Sequence, residues 1–283
     1  MDRHISELNG RAYRGFCGLF AAVALAACGP GEMPMPVNVA DYKADLDTIA
    51  RARILFGHQS VGRNVLKGLA ELSREAGVPL QIAGVETANT VDMPGLFHVD
   101  IGKNREPMGK IDEYSRLLQS SGRVPYDAAI LKFCYEDLSD AGMRDPVALV
   151  DAYAKGVAVI RQSLPKLRLV HATVPLRSDP SGWKTPIKRL IGRATEEDAG
   201  NQMRAAFNIE LRKRFAGQPL FDIAEIESTL PSNGRSAFML GNESIPTLAA
   251  VYTNDGGHLN ALGQQKAAMA FVRALASALR SGG

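Results

Sequence analysis

Five stretches of this chain are apolar on consecutive positions: RILFG (53–57), PLQIAGV (79–85), DAAILKFCY (127–135), LRLVHATV (167–174) and QPLFDIA (218–224). A strand with one wet face alternates apolar and polar residues, so runs without alternation belong to strands covered on both sides. Helical periodicity fills the intervals, over about 62–76, 110–119, 145–164 and 201–215, and an alanine-rich helix occupies about 260–279. Pro146 suits a helical first turn. Strands alternating with helices predict an α/β domain over 41–283: three α/β/α layers, flavodoxin-like, around a central parallel sheet of about five strands. Residues 86–108 read as irregular.

In such sheets ligands bind beyond the carboxyl ends of the strands. That rule nominates Gly57–Ser60, Gly84–Thr87, Phe133–Asp137, His171–Pro175 and the segment before the last helix. With 46% hydrophobic and 22% charged residues, the 283-residue chain can bury a sizeable core. Its net charge of +3 is spread without a block of like sign, which gives no electrostatic reason to expect a nucleic-acid partner. There is no His/Cys/Asp/Glu cluster with metal-ligand spacing and no phosphate-cradling glycine motif, so neither metal nor cofactor is expected.

The N-terminus has a separate logic. Arg11 and Arg14 precede the apolar run FCGLFAAVALAAC (16–28), and the chain then breaks at GPGEMPMPVN. Such a run is too short to cross a hydrocarbon core of about 30 Å, and the pattern is that of an export signal over 1–27. LAAC (25–28) resembles a bacterial lipobox, which implies a lipid on Cys28, a tether over 28–40 and a place in the cell envelope. Gly29 in place of aspartate favours the outer over the inner membrane. Cys17 then leaves with the signal, and Cys134 remains as a lone thiol with no disulfide to make.

Ser60 lies in ILFGHQSVGRN (54–64), where a strand gives way to a helix. A serine there either caps the helix or acts as a nucleophile, and a nucleophilic hydroxyl needs a base. YTNDGGHLNALGQQ (252–265) offers one, because Asp255 and His258, three apart across Gly256 and Gly257, allow a carboxylate to orient an imidazole within one loop.

A serine after the first strand with Asp-x-x-His before the last helix resembles the SGNH or GDSL-like hydrolase superfamily, over most of residues 50–280. It is similar in particular to an exported, lipoprotein-type subgroup that shares the strings HQSVG, KFCY and DGGHLN. The resemblance implies Ser60 as nucleophile and oxyanion donor through its N–H, His258 as general base and Asp255 as its partner. HQS (58–60) stands where the family more often has Gly-Asp-Ser. The family's third block, Gly-x-Asn-Asp, lines up with Cys134-Tyr135-Glu136-Asp137, so Glu136 replaces the asparagine that donates to the oxyanion. An ionised glutamate only accepts hydrogen bonds. Asn104 in IGKN is the favoured replacement, ahead of Asn89 and Lys132. The second-block glycine is matched best by Gly84, with Gly102 as rival.

Candidate substrate contacts are His58 and Gln59, which alternatively hold the loop, Tyr135, Glu136 and Trp183, the only tryptophan and suited to stacking on a sugar. Cys134 reads as a packing residue and His171 as structural. The resemblance implies an esterase acting on an O-acylated carbohydrate, either acetylated polysaccharide or peptidoglycan sugar. An O-acetyltransferase using the same residues and a non-catalytic carbohydrate-binding envelope lipoprotein are the alternatives.

Overall fold

In the computed structural model, which describes residues 38–88, 90–120, 124–140, 142–179 and 195–281, strand β1 (Arg53–His58) is buried along its whole length. Parallel partners flank it on both sides: β3 (Gly95–Asp100), with Ile54 opposite Leu96, and β4 (Ala128–Leu131), with Ile54 opposite Ala128. Beyond them lie β2 (Ile82–Gly84) on one side, and β5 (Arg168–Ala172) and β6 (Leu220–Phe221) on the other. The sheet is parallel throughout, in the order β2-β3-β1-β4-β5-β6.

Successive strand residues point to opposite faces, and the core divides accordingly. Ile54, Phe56, Ala128, Ile130, Val170 and Ala172 pack under α1 (Ala40–Ala50), α2 (Ser60–Ala76) and the C-terminal helix. Leu55, Phe97, Ala129, Leu131 and Leu169 pack on the other face. That face is covered by α4 (Pro107–Gln119), α5 (Pro146–Ser163) and α6 (Glu196–Arg214), and a short helix, α3 (Val85–Ala88), follows β2. After β6 come α7 (Ile223–Ser228), a small antiparallel hairpin of β7 (Ala237–Leu240) and β8 (Glu243–Pro246), and α8 (Ala261–Arg280). Three layers with a parallel sheet are as expected. Among the described residues no helix is long and apolar enough to cross a membrane.

The sheet differs from the expectation in one respect that matters. Among the described residues it has six strands, and the added one, β3, lies in the segment read as irregular and is the direct neighbour of β1. PLQIAGV contributes only the three-residue edge strand β2. The expected signal, Cys28, most of the tether, Asn89 and Trp183 lie outside the described residues.

Candidate active site

Three neighbouring strands, β3, β1 and β4, deliver their carboxyl-terminal loops side by side, and Ser60 stands in the middle one. Gln59, in an extended conformation, is the N-cap of α2 and makes no side-chain cap bond, so Ser60 is the first helical residue and its hydroxyl is not used as a cap. Its Oγ lies 3.0 Å from His258 Nε2. His258 Nδ1 lies 2.6 Å from Asp255 Oδ2. A carboxylate only accepts, so the ring proton sits on Nδ1 and the Nε2 lone pair faces the serine hydroxyl. The first amides of a helix have no intrahelical partner, and the N-terminal end of a helix dipole favours negative charge. The N–H of Ser60 is therefore available to a developing oxyanion.

The loop carrying Asp255 and His258 is tightly tied. Asp255 Oδ1 accepts the N–H groups of His258 (2.8 Å) and Gly257 (2.9 Å), and Thr253 Oγ1 accepts from Gly256 N at 2.9 Å. Gly256 has φ +81°, where a side chain would be strained. Gly257 is needed for space, since a Cβ there would lie 2.7 Å from Arg177 Nη1 and 3.1 Å from Tyr135 Oη. The backbone N–H of His258 and then its ring hold the Asp255 carboxyl well below the usual carboxylate range. Asn64, four residues after Ser60 and so on the same face of α2, accepts the N–H of Leu259 at 3.1 Å. Sequence reasoning missed this tie, for which the i, i+4 spacing was the available signal.

The residues before Ser60 hold the loop. His58 is fully buried, with Nδ1 2.9 Å from Gln59 O and Nε2 3.2 Å from His98 Nδ1, and burial pushes its pKa down to about 4. It has no surface to offer a substrate. Gln59 Nε2 donates to Ile101 O (2.7 Å) and Gly102 O (3.0 Å), fastening the loop after β3 to the serine turn.

Several other expectations need correction. Gly84 ends the edge strand β2, opposite His98 and separated from β1 by β3, so it does not adjoin the serine turn. The rival Gly102 does lie in the adjoining loop, but its N–H is taken by Glu113 Oε2 at 2.9 Å. Lys132 is fully buried and donates to Phe133 O at 3.0 Å, so it does not face the site. Glu136 pairs with Arg105, whose Nε and Nη2 lie 3.0 and 2.8 Å from Oε2. Tyr135 is buried beneath the loop, its ring 6.3 Å from that of His258 and under the Arg177 guanidinium, 5.0 Å away, so it does not line a groove. Two residues, Cys134 and His171, are as expected from the sequence. Cys134 is buried, and burial pushes its thiol pKa up. His171 is buried between Tyr153 Oη and Gln218 Oε1, each at 3.0 Å.

Asn104 remains. It is exposed in the loop after β3, and its Oδ1 accepts from Lys110 Nζ at 3.3 Å. Among the described residues no group of three His, Cys, Asp or Glu side chains is arranged to hold a metal ion.

No family of known proteins and no curated protein matches this chain in sequence. Solved structures do match in chain path. A carbohydrate acetylesterase from Sinorhizobium meliloti, Est24, aligns over 80% of this chain and 99% of its own at 13% identity and a TM-score of 0.43. The aryl esterase of M. smegmatis aligns over 82% and 99% at 12% identity and 0.43. The periplasmic domain of a lipopolysaccharide acetyltransferase from Salmonella ser. Paratyphi A aligns over 82% and 94% at 12% identity and 0.40. At these values the chemistry of the site rests on its own residues.

Proposed function

We propose that this chain is a serine esterase of the SGNH type. The observation that carries the proposal is the continuous hydrogen-bonded series Ser60 Oγ–His258–Asp255 at the carboxyl end of β1. Ser60 Oγ attacks the ester carbonyl as its proton passes to His258 Nε2, and the adjacent Asp255 carboxylate stabilises the imidazolium. The N–H of Ser60 and a second donor hold the oxyanion. His258 returns the proton to the leaving alcohol, and water activated by the same histidine then releases the acid.

An O-acylated sugar suits the polar surroundings. A cavity of about 540 Å³ lined by Arg177, Ser178, Glu197, Asn254 and Asp255 opens beside the histidine loop, offering donors and acceptors to a hydroxylated leaving group. The N-terminal pattern supports a lipid on Cys28 and action in the cell envelope.

The test is turnover of p-nitrophenyl acetate and labelling by a serine-reactive phosphonate, in wild type and Ser60→Ala. The substitution is expected to lower kcat by about 10⁴-fold or more and to abolish the label. Equal turnover in both, with no label on Ser60, refutes the proposal. Label without hydrolysis of any acetylated glycan would move the reading to acyl transfer onto a sugar hydroxyl.

A further inference from the structure

Four of the six N–H groups over 101–106, in the loop after β3, are spoken for. Ile101 donates to His58 O, Gly102 to Glu113, Arg105 to Asp137 and Glu106 to Lys103 O. Among the side chains of that loop, Asn104 carries an amide whose Nδ2 is uncommitted. Beneath it lies Lys110 on α4, with no exposed surface. Its Nζ is 2.7 and 2.9 Å from the two oxygens of Asp137, itself fully buried, and 3.3 Å from Asn104 Oδ1.

Two pieces of chemistry follow. An ammonium has only donors, so the Asn104 atom facing it must be the oxygen. The planar amide then turns its NH2 away from the lysine, on the exposed side of a loop whose carbonyls are pinned to the serine turn by Gln59. Asp137 joins the same construction to the segment after β4, since it also accepts the N–H of Arg105 at 2.9 Å and that of Cys134 at 2.8 Å. Arg105 directly follows Asn104 and has φ +71°, a strained conformation for a non-glycine that this bond helps to hold. A buried ion pair is weak evidence for stability, and this one also ties the loop that carries Asn104.

We infer that Lys110, with Asp137, is a positioning pair for catalysis: it fixes the Asn104 amide so that Nδ2 donates the hydrogen bond to the oxyanion that Glu136 cannot. The inference rests on the esterase reading above. Lys110 does not touch substrate and acts through Asn104.

Three variants and a double-mutant cycle test it, read by kcat and KM on p-nitrophenyl acetate with circular dichroism melts alongside. Asn104→Asp keeps an oxygen for Lys110 and puts another oxygen where the donor was. It is expected to stay folded and to lose on the order of a hundredfold or more in kcat, as Asn104→Ala does, with KM little changed. The double variant Lys110→Met/Asp137→Asn removes the ion pair without stranding a buried charge and is expected to lose on the order of tenfold to a hundredfold. In an Asn104→Ala background the same double change should alter kcat by less than about threefold. Wild-type kcat in folded Asn104→Asp, or an equal loss from the double change in both backgrounds, overturns the inference. Ser60→Ala, run beside them, separates the two readings. If it retains turnover, the esterase reading falls and this one with it. If it is dead while Asn104→Asp is fully active, only this inference falls.

Discussion

Gly68 offers the sharpest test of how the site is assembled. It lies on α2 where that helix meets α8, and a Cβ at this position would sit 2.3 Å from the backbone oxygen of Gln264, 2.6 Å from its carbonyl carbon and 3.1 Å from Ala268 Cβ. Carbon atoms settle about 3.5–4 Å from such neighbours. A carbonyl inside a helix cannot swing aside, so Gly68→Ala requires the two helices to part by about 1 Å. Overpacking of this kind costs about 1–3 kcal/mol, offset in part by the roughly 0.5–1 kcal/mol that alanine gains over glycine in a helix. The net loss, about 0–2.5 kcal/mol, corresponds at about 2–4 °C per kcal/mol for a domain of this size to a fall in Tm of up to about 10 °C. The displacement also reaches the chemistry, because Ser60 begins α2 and His258 lies three residues before α8, with 3.0 Å between their reacting atoms. A misplacement near 1 Å can cost on the order of a hundredfold in rate, and a loss of tenfold or more in kcat is expected well below Tm. Thermal melts and p-nitrophenyl acetate kinetics measure both effects. Gly109→Ala, on α4 with no atom within 4 Å of the new Cβ, serves as control and should be neutral or slightly stabilising. Gly68→Ala with wild-type Tm and wild-type kcat would refute the close-contact reasoning.

Asp255→Asn should leave the far-ultraviolet spectrum unchanged, because the asparagine oxygen can still accept the N–H groups of Gly257 and His258. Its kcat should fall by about 10³–10⁴-fold, since the amide NH2 favours the wrong imidazole tautomer; a loss below tenfold would sink the orienting role. Glu227 gives a pH prediction. It is fully buried, one carboxyl oxygen has no hydrogen-bond partner, and burial raises its pKa to about 8. An acid with a raised folded-state pKa contributes stability that is complete below its unfolded value of about 4.5 and is lost as pH rises toward 8. Glu227→Gln escapes that loss. In urea titrations it should match wild type near pH 4.5 and exceed it by about 3 kcal/mol near pH 7, and a difference that shrank as pH rose would contradict the assignment.

The parallel sheet was legible because its central strands are apolar on both faces, and β1 and β4 appear where their runs predict them. Strand β3 was not, because GLFHVD ends in His98 and Asp100, which face the serine turn and carry polar side chains for that reason. Its loss shifted the second block to Gly84, one strand too far out. Within the site, Ser60, Asp255 and His258 were visible as types at a recognisable spacing. Lys110 was hidden, since a lysine in a helical stretch reads as surface until its partner, 27 residues away, is brought beneath it. The ambiguous roles of His58 and Gln59 resolve into loop-holding for the same reason, as their partners lie on β3 and in its loop.

Ser60 and His258 are 198 residues apart in the chain, and the histidine arrives with the last helix. Synthesis runs from the N-terminus, so a growing chain carries its serine and every strand of the main sheet before it carries a base. Residues of α8 such as Ala267, Phe271 and Leu275 also cover one face of that sheet. The segment that covers this face of the core is therefore also the one that brings the proposed proton acceptor to Ser60, and on the esterase reading a chain that has not yet received it holds the serine without its base.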